Sequence, residues 1–338
     1  MINRRMVLRT AGLSALALAV AGCSRGHDDN APLRVGLVAK SLGNGFFDAV
    51  HKGADEAAAA LKVELIFTGP TTPTAEGQIE VINSLIAQHV DVIAISANDP
   101  DALVPSLQRA MQRGIKVISY DSAVAEAGRS VHLSPSSDAL IGQTCAQLAA
   151  AAIPQAKGKI AVLSATPTST NQNVWLAEMK QALPGFPGLE LVAVAYGDDV
   201  ADKSYREAVA LIKQYPDLAA IVSLSSVGIV AAAKAVEDQR RSDQNLAIHV
   251  TGLGLPSELA GYVRNGVVPS FAIWNPIDLG YATTEIAVRI ARGERAAPGN
   301  PISIGRLGAV DFDTHGVGAM GKPYVYDRNN IDRFAGIF

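Results

Sequence analysis

"LRVGLVAKSLGNGFFDAVHKGADEAAAALKVELIFTG", residues 33–69, places two apolar β-rich runs on either side of one helical pattern. "LRVGLVAK" and "VELIFTG" read as strands, and residues 46–60 between them carry apolar side chains at helical spacing. A strand that is apolar along its whole length is covered on both faces, so a helix between two of them predicts a βαβ unit in a parallel sheet.

Downstream the rhythm continues. "VIAISA" (92–97) and "KVISYD" (116–121) are further strands, separated by helical patterns over 75–89 and 100–112. It then starts again with "KIAVLSA" (159–165), "LELVAVAYG" (189–197), "AAIVSL" (219–224) and "AIHVTGL" (247–253). Helical patterns over 172–183, 201–214 and 227–240 lie between these strands. The expectation is an α/β protein of two doubly wound Rossmann-like lobes, since right-handed crossovers place helices on both faces of each sheet. The joining segment "SAVAEAG" (122–128) is short, so the lobes should face each other across a cleft.

Upstream lies a targeting segment. "MINRRMVLRT" is basic, "AGLSALALAV" is apolar and too short to span a bilayer, and small residues precede Cys23. Val20-Ala21-Gly22-Cys23 resembles a bacterial lipobox, which implies cleavage after residue 22 and a lipid on Cys23. Plain signal-peptidase cleavage is the alternative. Arg4-Arg5 before Met6-Val7-Leu8 also resembles a twin-arginine export signal. Residues 23–32 then read as a polar linker.

The chain of 338 residues has a formal charge of −3, and loss of residues 1–22 removes Arg4, Arg5 and Arg9 but no acid, giving −6. With no run of lysine or arginine, nothing offers a nucleic acid the basic face it needs. Only Cys23 and Cys145 occur, so no disulfide framework is expected, and Cys145 in the helical pattern "LIGQTCAQLAAAA" reads as a buried inert thiol. His27, His51, His89, His132, His249 and His315 show no metal-ligand spacing. "GVGAMG" (316–321) fits a dinucleotide fingerprint by letters but lacks a strand-then-helix context, and it reads as a flexible tail. No cofactor, metal or catalytic nucleophile is expected.

In open parallel sheets, ligands bind beyond the carboxyl ends of the strands. That rule selects Lys40, Asn98, Asp99, Asp121, Asn171, Gln172, Ser225, Gly254 and Trp274. In "KSLGNGFFDAV", Phe46 lies nearer the loop and offers an apolar platform, while Phe47 serves either the core or the ligand. Asn98 and Asp99 side by side suit hydroxyl recognition, although Asp99 before Pro100 is equally a helix cap. Lys40 and Asp121 end two strands and could form either a structural ion pair or two ligand contacts. "TPTSTNQNVWLAEM" supplies three consecutive amides, of which Asn171 and Gln172 are assigned to the ligand, with Trp175 assigned to the core.

These residues resemble the periplasmic sugar-binding proteins of ABC importers, the ribose-binding type, over essentially the whole chain after the leader. "TAEGQIEVINSLIAQ", "SANDPDALVP", "AMQRGIKVISYDS", "TSTNQN" and "TGLGLPSE" carry the likeness, and "AIWNPIDLGY" is similar to the rhamnose-binding branch. The resemblance implies a periplasmic binding protein type I fold with three crossing strands. Residues 33–121 plus about 276–308 would form the N-terminal lobe, and 122–275 plus about 309–338 the C-terminal lobe. It implies no enzymatic activity, a small sugar ligand with rhamnose favoured, delivery to an ABC permease, a monomer, and a lipid-anchored periplasmic location. Trp274 would stand on the second crossing as a sugar platform, with Asn275 offering an amide beside it; the alternative is a buried hinge aromatic. The related autoinducer-2 binders match at Lys40 and Asp121 but depart at Asn171-Gln172 and at Leu224-Ser225-Ser226. A chemotaxis receptor would use the same lobes, and a glycoside hydrolase would need Asp99 and Asp121 as paired carboxylates.

Overall fold

The computed structural model describes residues 31–337; the leader, Cys23 and most of the linker lie outside them. The first half runs β1 (Arg34–Val38), α1 (Gly45–Leu61), β2 (Glu64–Thr68), α2 (Ala75–Ala87), β3 (Val92–Ile95), α3 (Val104–Gln112), β4 (Lys116–Tyr120) and β5 (Val131–Ser134). The second half runs α4 (Asp138–Ala152), β6 (Gly158–Ser164), α5 (Thr170–Ala182), β7 (Leu189–Tyr196), α6 (Ala201–Gln214), β8 (Leu218–Ser223), α7 (Ser226–Ser242), β9 (His249–Gly252), α8 (Pro256–Arg264) and β10 (Ser270–Ile273). The chain then returns through α9 (Pro276–Ala291), the short pair β11 (Ile302–Ser303) and β12 (Ala309–Val310), β13 (Val317–Ala319) and β14 (Tyr324–Asp327).

All pairings in the two large sheets are parallel. The first sheet has the order β13-β5-β4-β3-β1-β2 and the second β7-β6-β8-β9. In each, the second strand of the half lies outside the first, so the winding reverses next to β1 and next to β6. Such a switch point opens a crevice at the carboxyl ends of the adjacent strands. β10 and β14 form an antiparallel pair that joins the second sheet through a bridge between Leu253 and Ala272.

The division between halves differs from the sequence expectation. β5 pairs with β4, and β13 pairs with β5, so both belong to the first sheet and not to a lobe made of 122–275 and 309–338. The chain crosses between Ser134 and Asp138, between Ile273 and Pro276, and between Ala319 and Tyr324. The segment "GVGAMG" is therefore an edge strand rather than a flexible tail: the main chain of Val317–Ala319 completes a ladder that β5 would otherwise leave open. The helix expected over 100–112 begins at Val104, because residues 100–103 form a turn in which Asp99 Oδ1 accepts from the N–H groups of Asp101 (3.0 Å) and Ala102 (2.9 Å).

Helices α1 and α9 pack main chain against main chain. A Cβ added at Gly53 would stand 1.8 Å from the Ile277 carbonyl oxygen, and one at Gly280 would stand 1.8 Å from that of Val50. Only hydrogen at these two positions permits the contact. α1 begins at the Phe46-Phe47 pair and α9 follows Trp274, so this contact fixes one aromatic side of the cleft relative to the other. Cys145 is fully buried on α4, and burial pushes its thiol up to about 12.

Candidate functional site

A cavity opens where the strand ends of the two halves meet. From the first half, Lys40, Asn44, Phe46, Phe47 and Asp121 line it; from the second, Asn171, Gln172, Trp175, Asp199 and Leu224–Ser226. Leu253, Ile273 and Trp274 close the side nearest the second crossing. The positions follow from the winding: each loop leaves a strand at its carboxyl end and then turns into a helix.

Charge is concentrated on the first half. Lys40 is only 4% exposed, and its Nζ donates to Ser169 Oγ (2.8 Å) and to Asn171 Oδ1 (3.0 Å) of the opposite half. Asp121 accepts from Ser96 Oγ at 2.8 Å and from Asn171 Nδ2 at 3.2 Å. Lys40 and Asp121 are thus joined through the Asn171 amide and not by direct contact. Burial pushes the Asp121 carboxyl above the ordinary carboxylate range, while the Lys40 charge pulls it down. The Lys40 main chain is itself held, because Asn98 Nδ2 donates to its carbonyl at 2.8 Å.

Asp121 and Asp199 both adopt left-handed backbone conformations, with φ of 57° and 52°. Such angles are unusual for residues other than glycine and concentrate at functional positions. Asp199 accepts a hydrogen bond from Ser225 Oγ, which also caps α7 by accepting from the Gly228 N–H at 3.2 Å. Gln172 Oε1 accepts from Ser164 Oγ and from the Ala165 N–H, which can only donate, so the amide must place its NH2 end elsewhere.

The apolar wall is aromatic. Trp274 meets Phe46 edge-to-face at 6.1 Å between ring centres and Trp175 at 5.4 Å. Phe46 also meets Phe47, which in turn packs against Tyr120, so Phe47 serves the cavity and the core together.

Four expected site residues do not line the cavity. Asn98 spends its amide on the carbonyls of Lys40 and Thr74, and its N–H donates to Gln78 Oε1. Asp99 caps the turn described above and does not pair with Asp121 across the cleft. Gly254 packs beneath Leu259 and Ile229, and its N–H donates to the Ala272 carbonyl. Asn275 is exposed and caps α9, accepting from the N–H groups of Ile277 (3.0 Å) and Asp278 (3.4 Å). Asn98, Asp99 and Asn275 are short polar residues at strand ends whose side-chain hydrogen bonds are claimed by nearby main chain, and Gly254 has no side chain to present.

Conversely, sequence reading missed Asn44, Asp199, Leu224, Leu253 and Ile273, and assigned Trp175 to the core alone. For Asp199 the signal was present: "GDDV" follows "LELVAVAY", the strand-end position that flagged the other residues. Asn44, Leu224, Leu253 and Ile273 lie one or two residues from expected site residues.

Comparison with known proteins follows the same lines. A family model described as periplasmic binding protein domain matches residues 35–295. A D-ribose/D-allose-binding protein of Pseudomonas aeruginosa is 27% identical over 223 residues, which is 62% of this chain and 68% of that protein. An ABC transporter solute binding protein from Clostridium phytofermentas, solved with bound L-rhamnose, is 32% identical with a TM-score of 0.86, covering 91% of this chain and 99% of that one. LsrB from Clostridium saccharobutylicum, solved in complex with AI-2, shares the fold at 22% identity and a TM-score of 0.84, covering 89% and 99%.

Proposed function

We propose, from the premise that this chain belongs to the family of periplasmic binding protein domains, that it receives L-rhamnose in the cavity between its lobes and delivers it to an ABC permease. The family consists of extracytoplasmic solute-binding proteins, its relatives are sugar-binding components of ABC transporters, and the fold is the periplasmic binding protein type I fold. One observation carries the ligand class. Among the described lining residues Lys40 is the single cation against Asp121 and Asp199, and the facing wall is Phe46, Trp175 and Trp274. Directed polar groups opposite aromatic rings suit a neutral sugar with one hydroxyl-rich side and one C–H-rich side. Two carboxylates repel an anion, so sugar acids and sugar phosphates are disfavoured. The similarity to the rhamnose-bound solute binding protein supports a deoxyhexose, whose methyl group adds apolar area for the aromatic wall.

Residues 168–171 of the second lobe already reach across the cleft. Thr168 Oγ1 donates to the Asn98 carbonyl (3.2 Å) and Thr170 Oγ1 to that of Ala123 (3.1 Å), beside the Lys40 contacts. A ligand that touches both lobes favours the closed state by its differential affinity for it, and the permease reads that state.

Calorimetry on the mature protein with L-rhamnose, D-ribose, D-allose, autoinducer-2 and D-glucuronate tests this. Tightest binding is expected for L-rhamnose, with the anion weaker by about 100-fold or more, as for an uncompensated charge brought beside a buried carboxylate. Tighter binding of autoinducer-2 or of a pentose would replace the ligand, and tight glucuronate binding would overturn the charge argument.

The finer location rests on Cys23, outside the described residues. We infer that it carries the lipid that holds the protein to the membrane. Cys23→Ser is expected to move the protein from the membrane fraction to the soluble periplasmic fraction, and retention on the membrane would remove the anchor from the proposal.

A further inference from the structure

Both tryptophans of the chain border the cavity, and they differ in one respect. The Trp175 indole N–H donates to Asp138 Oδ1 at 2.9 Å. The Trp274 indole N–H is buried, in a residue only 7% exposed, and has no acceptor among the described residues. An indole nitrogen can only donate, and a buried donor left unpaired costs about 1–3 kcal/mol. Such a group in a native protein calls for an explanation, and on the wall of a cavity a bound ligand supplies one.

The ring is held in place among the described residues. Edge-to-face contacts with Phe46 and Trp175 clamp it at interplanar angles of 88° and 65°. Its backbone is fixed on one side by β10, where Ile273 pairs with Tyr324, and on the other by the Asn275 cap of α9. The amide and carboxylate oxygens around Lys40 are already engaged with other donors. Both Asp121 oxygens accept from Ser96 and Asn171, Asn171 Oδ1 accepts from Lys40 and Ser169, and Gln172 Oε1 accepts from Ser164 and Ala165.

Resting on the sugar-binding reading above, we propose that Trp274 is a specificity-determining donor: its Nε1–H bonds an oxygen of the bound ligand, so that the ring selects for an acceptor at that position as well as supplying apolar surface. A sugar lacking that oxygen leaves the indole N–H unpaired and is rejected, which a purely apolar wall cannot do.

The test uses the mature protein labelled with 15N at its indole nitrogens. Two indole signals are expected, assigned with Trp175→Phe. Titration with L-rhamnose, then with the other sugars of the panel, should move the Trp274 signal downfield and slow its exchange with water, while the Trp175 signal stays near its place. In calorimetry, Trp274→Phe should weaken binding by about tenfold to 100-fold. A set of monodeoxy analogues should contain one whose penalty is present in the wild type and absent in Trp274→Phe. A sugar that binds with the Trp274 signal unmoved, or penalties that fall equally on every analogue, would overturn the donor role while leaving the sugar reading intact. Silence toward every sugar would overturn both.

Discussion

Gly280→Val is expected to lower the melting temperature of the protein by on the order of 10 °C. The added Cβ would begin 1.8 Å from the Val50 carbonyl oxygen, a main-chain atom inside α1 that cannot turn aside as a side-chain tip does. Relief requires moving α1 away from α9, and the reciprocal contact at Gly53 against Ile277 must open with it. Overpacking of a well-packed contact costs about 1–3 kcal/mol when side chains can adjust, and at this contact they are not the obstacle. The change should also weaken ligand binding, because α1 carries Phe46 and Phe47 and α9 follows directly from Trp274. Thermal unfolding followed by circular dichroism, with sugar binding measured on the same sample, checks both. A melting temperature within about 2 °C of the wild type would show that the helix contact is looser than its geometry states.

Lys40→Met is expected to lower ligand affinity by about 100-fold to 1,000-fold, the effect of removing one partner from a buried charged cluster. The substitution deletes two hydrogen bonds that span the lobes, to Ser169 and Asn171, and leaves Asp121 and Asp199 on the cavity with no cation among its described lining residues. The direction of the pH effect follows. Burial already holds the Asp121 carboxyl above the ordinary range, and the Lys40 charge opposes that rise, so its loss raises Asp121 further. An acid with a raised native pKa is protonated as pH falls, which removes the uncompensated charge. Affinity of Lys40→Met should therefore recover on acidification relative to the wild type, and adding Asp121→Asn should restore part of it at neutral pH. Calorimetry across pH 5–8 on the three proteins measures this; equal pH dependence in all of them would contradict the assignment of Asp121 as the titrating group.

Much of this architecture was legible in the letters. Strand runs such as "VIAISA" and "KIAVLSA" are apolar over most of their length because both faces of a central parallel strand are buried, and that requirement acts on each strand separately. The helix expected over 201–214 coincides with α6 because its apolar spacing is likewise a local property. The edge strand β13 was not legible. The three residues Val317-Gly318-Ala319 are too few to carry a period, and only the open ladder of β5 makes them a strand.

Sequence by itself therefore determined the layered halves, their sense of winding and the set of strand-end loops from which a site could be built. Tertiary structure decided which of those loop residues face the cavity. Asn171 and Asn275 are the same amide at the start of a helix, yet one bridges Lys40 and Asp121 while the other caps α9 in solvent. The difference lies in what stands opposite each side chain. A short polar group takes the nearest unpaired donor or acceptor, and whether that partner is its own helix or the facing lobe is fixed only when the two sheets are brought together.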